Sequence, residues 1–91
     1  MRGLETGLPK RSPDVAWRII DEEAVLVLPQ DNKIAVLNPA ATFIWQALDG
    51  RNGREKLVEF ILDEFDVPGG QIEADVDNFL VSLKENKLLA D

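Results

Sequence analysis

Lys33-Ile34-Ala35-Val36-Leu37-Asn38-Pro39 runs directly into Ala40-Ala41-Thr42-Phe43-Ile44-Trp45-Gln46-Ala47-Leu48-Asp49-Gly50, and the joint between them decides the fold. An apolar, β-branched run stops at Asn38 and a helix-forming run begins at once. Asn is a favoured N-cap because its side-chain oxygen accepts a hydrogen bond from a free backbone N–H of the first turn. Pro at the first helical position gives up an N–H that has no helical partner there. The stretch therefore predicts a strand joined to a helix with almost no loop. The chain reads as strand before the joint and as helix after it.

Upstream, Trp17 and Ile19 alternate with Arg18, and Ile20 precedes the polar turn Asp21-Glu22-Glu23. Ala24-Val25-Leu26-Val27-Leu28 is an apolar run of strand length, closed by the turn cluster Pro29-Gln30-Asp31-Asn32. Three short strands with tight polar turns predict an antiparallel meander, since parallel pairing needs long crossovers. No fourth strand is legible, so Lys33–Leu37 is an outer strand opposite the first. Residues 1–13 contain Gly3, Gly7, Pro9, Ser12 and Pro13 and few apolar side chains. They read as a flexible N-terminal arm, with residues 14–91 as the domain.

Downstream, a first helix from about Pro39 to Leu48 carries Phe43, Ile44, Ala47 and Leu48 at helical spacing. Trp45 lies off that stripe, either packed under the sheet or partly exposed. Asp49-Gly50 is a helix stop, because Gly enters the left-handed region without steric cost. Asn52 predicts the start of a second helix, with Glu55 reaching back as in a capping box. Leu57, Val58, Ile61, Leu62 and Phe65 mark its apolar face. The row Glu55, Glu59 and Asp63 reads as a solvated face, because no convergent loop oxygens accompany it for a hard cation. Val67-Pro68-Gly69-Gly70 breaks the chain. A third helix from about Gln71 to Glu85 bears Ile72, Val76, Phe79, Leu80 and Leu83, with Asn86 as left-handed terminator and Leu88-Leu89 folding back.

Composition removes whole classes of chemistry. The chain has 91 residues, 45% of them apolar, which suits one small globular domain. Cys and His are absent, so disulfides, Cys/His zinc sites, thiol nucleophiles and imidazole-activated hydroxyls are excluded. Hydroxyls are confined to Thr6, Ser12, Thr42 and Ser82. No dinucleotide or Walker-type glycine spacing surrounds Gly69-Gly70. No catalytic residue, metal site or cofactor is expected. The net charge is −7. Residues 1–20 carry Arg2, Lys10, Arg11 and Arg18 against Glu5 and Asp14, so the acidity lies in the remainder. No run approaches the ~20 apolar residues that cross a bilayer, and no signal-peptide core is seen. A soluble, cytoplasmic protein without membrane contact is expected.

Three strands followed by three helices make an α+β, winged-helix-like arrangement, and that shape often binds DNA. Here the third helix carries Glu73, Asp75, Asp77 and Glu85 against Lys84, which would repel phosphates, so no nucleic-acid partner is expected. An acidic winged-helix module for protein interaction or transcriptional regulation is the alternative reading. The sheet edge remains. An unpaired strand offers N–H and C=O groups that an extended peptide can complete as a further strand. Lys33 suits either a guard against aggregation or a docking role, and the residues leave both open. A third reading pairs the edge with its own symmetry mate in a homodimer.

Five stretches in order carry a family resemblance: Leu26-Val27-Leu28-Pro29-Gln30, Val36-Leu37-Asn38-Pro39-Ala40-Ala41, Ile44-Trp45, Leu48-Asp49-Gly50, and Asp75-Val76 with Phe79-Leu80 and Leu83. Over roughly Pro13 to Leu89 the chain resembles the pyrroloquinoline quinone biosynthesis protein D (PqqD) family, the precursor-peptide recognition module of ribosomal peptide-modification pathways. The resemblance implies no catalysis by the module itself. It implies that the leader of a precursor peptide is bound as an added strand and presented to a modifying enzyme, often a radical S-adenosylmethionine protein. Carried onto this chain, the strand wall is Lys33, Ile34, Ala35, Val36 and Leu37. The helix wall is drawn from Val76, Phe79, Leu80 and Leu83, without deciding which face the groove. Asp75 matches a position where the family favours Asp; it organises the helix start, meets the partner enzyme or is simply solvated. Two departures are visible. Trp45 stands where quinone-pathway members more often carry an aliphatic residue, which favours another peptide-modification pathway. Asn86-Lys87 replaces the usual Gly before the terminal leucines.

Overall fold

Three strands and three helices follow one another in the computed structural model, which describes residues 8–29, 32–65 and 69–90. They are β1 (Trp17–Ile20), β2 (Glu23–Val27), β3 (Ile34–Val36), α1 (Pro39–Gln46), α2 (Arg54–Glu64) and α3 (Gly69–Glu85). The sheet is an antiparallel meander in the order β1-β2-β3, so the fold is α+β with the strands first, as the sequence predicts. Asp21 and Glu22 both have positive φ, at 53° and 69°, the conformation that lets a two-residue turn follow the twist of its strands. Within the second turn, Gln30 and Asp31 lie outside the described residues.

The joint between β3 and α1 has one feature beyond its cap. Asn38 accepts from the Ala41 N–H at 2.8 Å and Pro39 opens the helix, as the sequence predicts. Thr42, 4% exposed, does the rest. Its hydroxyl oxygen accepts from the Ala24 N–H at 2.8 Å, and its O–H donates to the Leu37 carbonyl at 3.2 Å. Leu37 N–H meanwhile donates to the Ala24 carbonyl at 2.9 Å. Half of the Ala24–Leu37 ladder pair is thus relayed through a hydroxyl from the helix. The strand end can then peel away from β2 and turn into α1 with the Ala24 N–H and the Leu37 carbonyl both paired.

The core lies between the inner face of the sheet and the helices. Trp45, Leu26, Leu48, Leu57, Ile61 and Val76 are fully buried. Trp45 is thereby placed at the centre and not at the surface, its ring edge-on to Trp17 at 5.9 Å. Its indole Nε1 has no hydrogen-bond partner among the described residues. Leu62 departs from the expected apolar face and is 42% exposed. At about 100° per residue it sits roughly 140° around the helix from Leu57. Phe65, just past α2, packs edge-on to Phe43 at 5.8 Å.

Two expected caps are corrected. The N-cap of α2 is Gly53, with no side-chain capping bond. Asn52 is occupied elsewhere: its amide donates to the Ala47 carbonyl at 2.9 Å and to Asp49 Oδ1 at 3.3 Å, closing the end of α1. At the end of α3 the left-handed residue is Lys87, φ 62°, and not Asn86. Lys87 N–H donates to the Lys84 carbonyl and Leu88 N–H to the Leu83 carbonyl, which is the Schellman arrangement with its usual apolar contact. Leu83 and Leu88 are both buried.

Of the expected flexible arm, residues 1–7 lie outside the described residues. Residues 9–12 are tied down on both sides. Arg11 N–H donates to the Leu48 carbonyl and Gly50 N–H to the Pro9 carbonyl; Ser12 N–H donates to Leu88 and Ala90 N–H to Lys10. A segment poor in apolar side chains is held by its backbone, lying between the end of α1 and the chain's last residues. The Arg11 guanidinium adds bonds to the Trp45 and Gln46 carbonyls at 2.8 and 2.9 Å, at the C-terminal end of α1, where the helix itself supplies fewer donors.

Candidate functional site

The alternation of hydrogen bonds in an antiparallel ladder determines what each strand leaves unpaired. Leu28 N–H donates to the Lys33 carbonyl and Leu37 N–H to the Ala24 carbonyl, while Ala35 stands opposite Leu26. Lys33, Ala35 and Leu37 therefore turn their backbone groups toward β2. Ile34 and Val36 turn theirs outward, and among the described residues nothing pairs with them. One N–H and one C=O from each make a four-group edge along which an extended chain can lie.

Side chains alternate the other way. Ala35 shares the inner face with Leu26, so it is half-buried and packed against the core. Ile34 and Val36 share the outer face with Val27 and Val25, and they are 65% and 60% exposed. Ala35 is the small residue in the middle of the edge strand. An added residue directly opposite it would point to the inner face, beside a side chain of a single methyl group. Among the described residues the opposite border of the sheet is also unpaired at Trp17 and Ile19, but there Arg11 lies close by, its guanidinium 5.3 Å from the centre of the Trp17 ring.

The expected helix wall divides. Val76 is completely buried and Leu83 is 2% exposed, so both belong to the core and offer no surface to a ligand. Phe79 and Leu80 are half-buried, but successive residues of a helix point about 100° apart. Leu80 lines a cleft of about 1020 Å³ shared with Leu8, Pro13, Arg54, Lys84 and Leu89, on the flank of α3 that faces the arm and the start of α2. On that flank Arg54 bonds Asp77 and lies 3.7 Å from Glu73. The hydrogen bond and charge of Asp77 hold the guanidinium above its usual pKa. Phe79 packs against the core without lining this cleft, and it is the one expected helix-wall residue left both partly accessible and outside it. Asp75 is exposed and accepts from Gln71 one turn earlier, at 3.1 Å. β3 packs on β2 and α3 packs chiefly on α2, and the two are not packed extensively on each other.

Among the described residues there is no cluster of acidic side chains able to hold a metal ion, and no helix is long and apolar enough to cross a membrane. The accessible polar groups that converge on β3 belong to the backbone. Such an edge can bind an extended polypeptide, and it recognises backbone first and side chains second.

The model of the family "Coenzyme PQQ synthesis protein D (PqqD)" matches residues 23–89, from the start of β2 past the end of α3. Among solved structures, the chain is similar to TbiB1 in complex with the TbiA(beta) leader peptide. The two are 32% identical over 90% of this chain and 99% of that one, with a TM-score of 0.77. Lasso peptide synthetase B1 complexed with the leader peptide shares the fold at 24% identity, covering 92% of this chain and 99% of its own, TM-score 0.77. So does the PqqD truncation of Methylobacterium extorquens PqqCD, described as a stand-alone recognition element for ribosomally synthesized and post-translationally modified peptides. Its identity is 24% over 91% and 88% of the two chains, with a TM-score of 0.71. No curated protein matches the chain.

Proposed function

This chain belongs to the PqqD family, and we propose that it is a non-catalytic adaptor that binds the leader of a ribosomally made precursor peptide and presents it to a peptide-modifying enzyme. The observation that carries this reading is the unpaired backbone of Ile34 and Val36 on an accessible edge. The leader lies along Lys33–Leu37 as a fourth strand. Its inward side chain opposite Ala35 is received by the space beside that residue, with Phe79 as the helix wall; Val76 and Leu83 back that wall from within the core.

The energetics are in range. Four backbone hydrogen bonds contribute roughly 0.5–1.5 kcal/mol each, and each buried aliphatic anchor adds about 1.5–3 kcal/mol. Against an association cost of ~4–15 kcal/mol, the edge needs two or three anchors to hold a peptide usefully. Similarity to a protein solved with its leader peptide supports the choice of ligand. The modifying enzyme is of the radical S-adenosylmethionine or another type, and Trp45 favours a pathway other than that of the quinone. We place the protein in the cytoplasm, where precursor peptides are made.

Titration of the ¹⁵N-labelled protein with the leader of a precursor peptide tests the reading. The expected result is amide shifts concentrated at residues 33–37 and around Phe79. Shifts confined to the cleft lined by Leu80, or to the β1 border, would overturn the assignment of the edge.

A further inference from the structure

The outer face of the sheet supplies none of the backbone bonds of strand addition, and it is apolar. Ile20 is 50% exposed, Val27 37%, Ile34 65% and Val36 60%, and Val25 lies among them, half-buried. By register, Val25 stands beside Val36 and Val27 beside Ile34, so four β-branched side chains form a continuous block across β2 and β3. The charged residues on this face, Arg18 and Glu23, stand next to Val25 and Ile20 at its β1 side. A soluble sheet normally turns polar side chains to water on its free face.

We infer that this face docks the modifying enzyme, and that it does so only once the leader has been added to β3. The inference rests on the strand-addition reading of the edge. Five side chains at these exposures present on the order of 400 Å² of apolar surface, a patch of the size that is often functional on a monomer. That is about half of the ~800 Å² that each partner of a stable complex contributes. The bare face is therefore too small to hold an enzyme by itself. A fourth strand widens a three-stranded face by roughly a third, because strands lie about 4.8 Å apart. Its outward side chains, those opposite Ile34 and Val36, continue the same apolar block at about 5 Å spacing. The enzyme then reads protein and leader as one surface. The partner surface must be apolar and uncharged where it covers β2 and β3. A second copy of this chain is disfavoured as occupant, because two bodies of charge −7 repel each other.

The test uses a fluorescein-labelled leader of a precursor peptide and the purified enzyme that modifies that precursor. Ile20→Lys with Val27→Lys charges the face away from β3; Val36→Pro removes an outward N–H from the edge, where Pro is tolerated. Circular dichroism checks that both variants are folded. The expected result is that the double-lysine variant binds leader within about twofold of the parent, yet binds enzyme at least tenfold more weakly in the presence of leader. Val36→Pro should lose leader binding at least tenfold, and enzyme binding with it. Equal enzyme affinity of the parent with and without leader overturns the inference, as does full enzyme affinity of the double-lysine variant. A parent that sediments as a dimer dissociated by the two lysines assigns the face to a second copy instead. Failure of leader to bind the parent at all sinks the strand-addition reading and is distinguishable from each of these.

Discussion

Thr42 shows how much a single hydroxyl can settle. It receives the Ala24 N–H and donates to the Leu37 carbonyl, both inside the joint where β3 leaves the sheet. Thr42→Val keeps the shape of the side chain and strands both partners. The expected cost is about 1–3 kcal/mol, read as a lower urea midpoint with an unchanged m-value, and Thr42→Ser should recover part of it. In the sequence this Thr was legible only as one of four hydroxyls without a base to activate it. Its role depends on where the Ala24 N–H comes to lie, 18 residues away in the chain. Asn38, by contrast, was legible at once, because a cap acts within its own four residues. Asn52 looks like a cap for the same local reason and is not one, since the nearby carbonyl of Ala47 claims its amide.

At the scale of the element, α3 ends with Lys87 in the left-handed region. That conformation costs a non-glycine residue about 1–2 kcal/mol, while glycine there costs about 0.5–1 kcal/mol in chain entropy. Lys87→Gly is therefore expected to stabilise the protein by about 0.5–1 kcal/mol, measurable as a raised urea midpoint. The two terminator candidates, Asn86 and Lys87, are adjacent, and intrinsic preference points to Asn. The position is decided instead by burial: Leu88 must reach Leu83, and that contact sets which residue carries the turn. The same logic divides the helix wall of the site. Periodicity put Val76, Phe79, Leu80 and Leu83 on one stripe. A stripe some 100° wide has a centre and two flanks, and only packing tells them apart. Val76 and Leu83 are the centre, Leu80 turns to the cleft, and Phe79 is half-buried and does not line it.

For the whole molecule, the arm joins what the sequence keeps far apart. Residues 9–12 bond the end of α1 on one side and residues 88 and 90 on the other. Four such backbone bonds amount to roughly 2–6 kcal/mol, and the Arg11 contacts add to that. Deletion of residues 1–13 is thus expected to lower the thermal midpoint by on the order of 10 °C or more, since each kcal/mol shifts a domain of this size by about 4–8 °C. A midpoint within about 2 °C of the parent would show the arm to be dispensable. The same deletion should leave leader affinity nearly unchanged at a temperature where both forms are folded, because residues 8–13, the described part of the arm, bond the end of α1 and the last residues and line the cleft.

The order of elements, the meander, the strand-to-helix joint and the candidate edge were all determined by the sequence by itself, because each comes from short-range signals: alternation, turn residues, a cap with its proline, and the lack of a fourth strand. The tertiary structure alone decided that Trp45 is the centre of the core, that Thr42 bridges the joint, that residues 9–12 are tied down, and that the free face of the sheet is apolar. These depend on which groups meet across long separations in the chain. Local pattern can show that a residue is apolar or polar, but only packing supplies the partner that gives it a place.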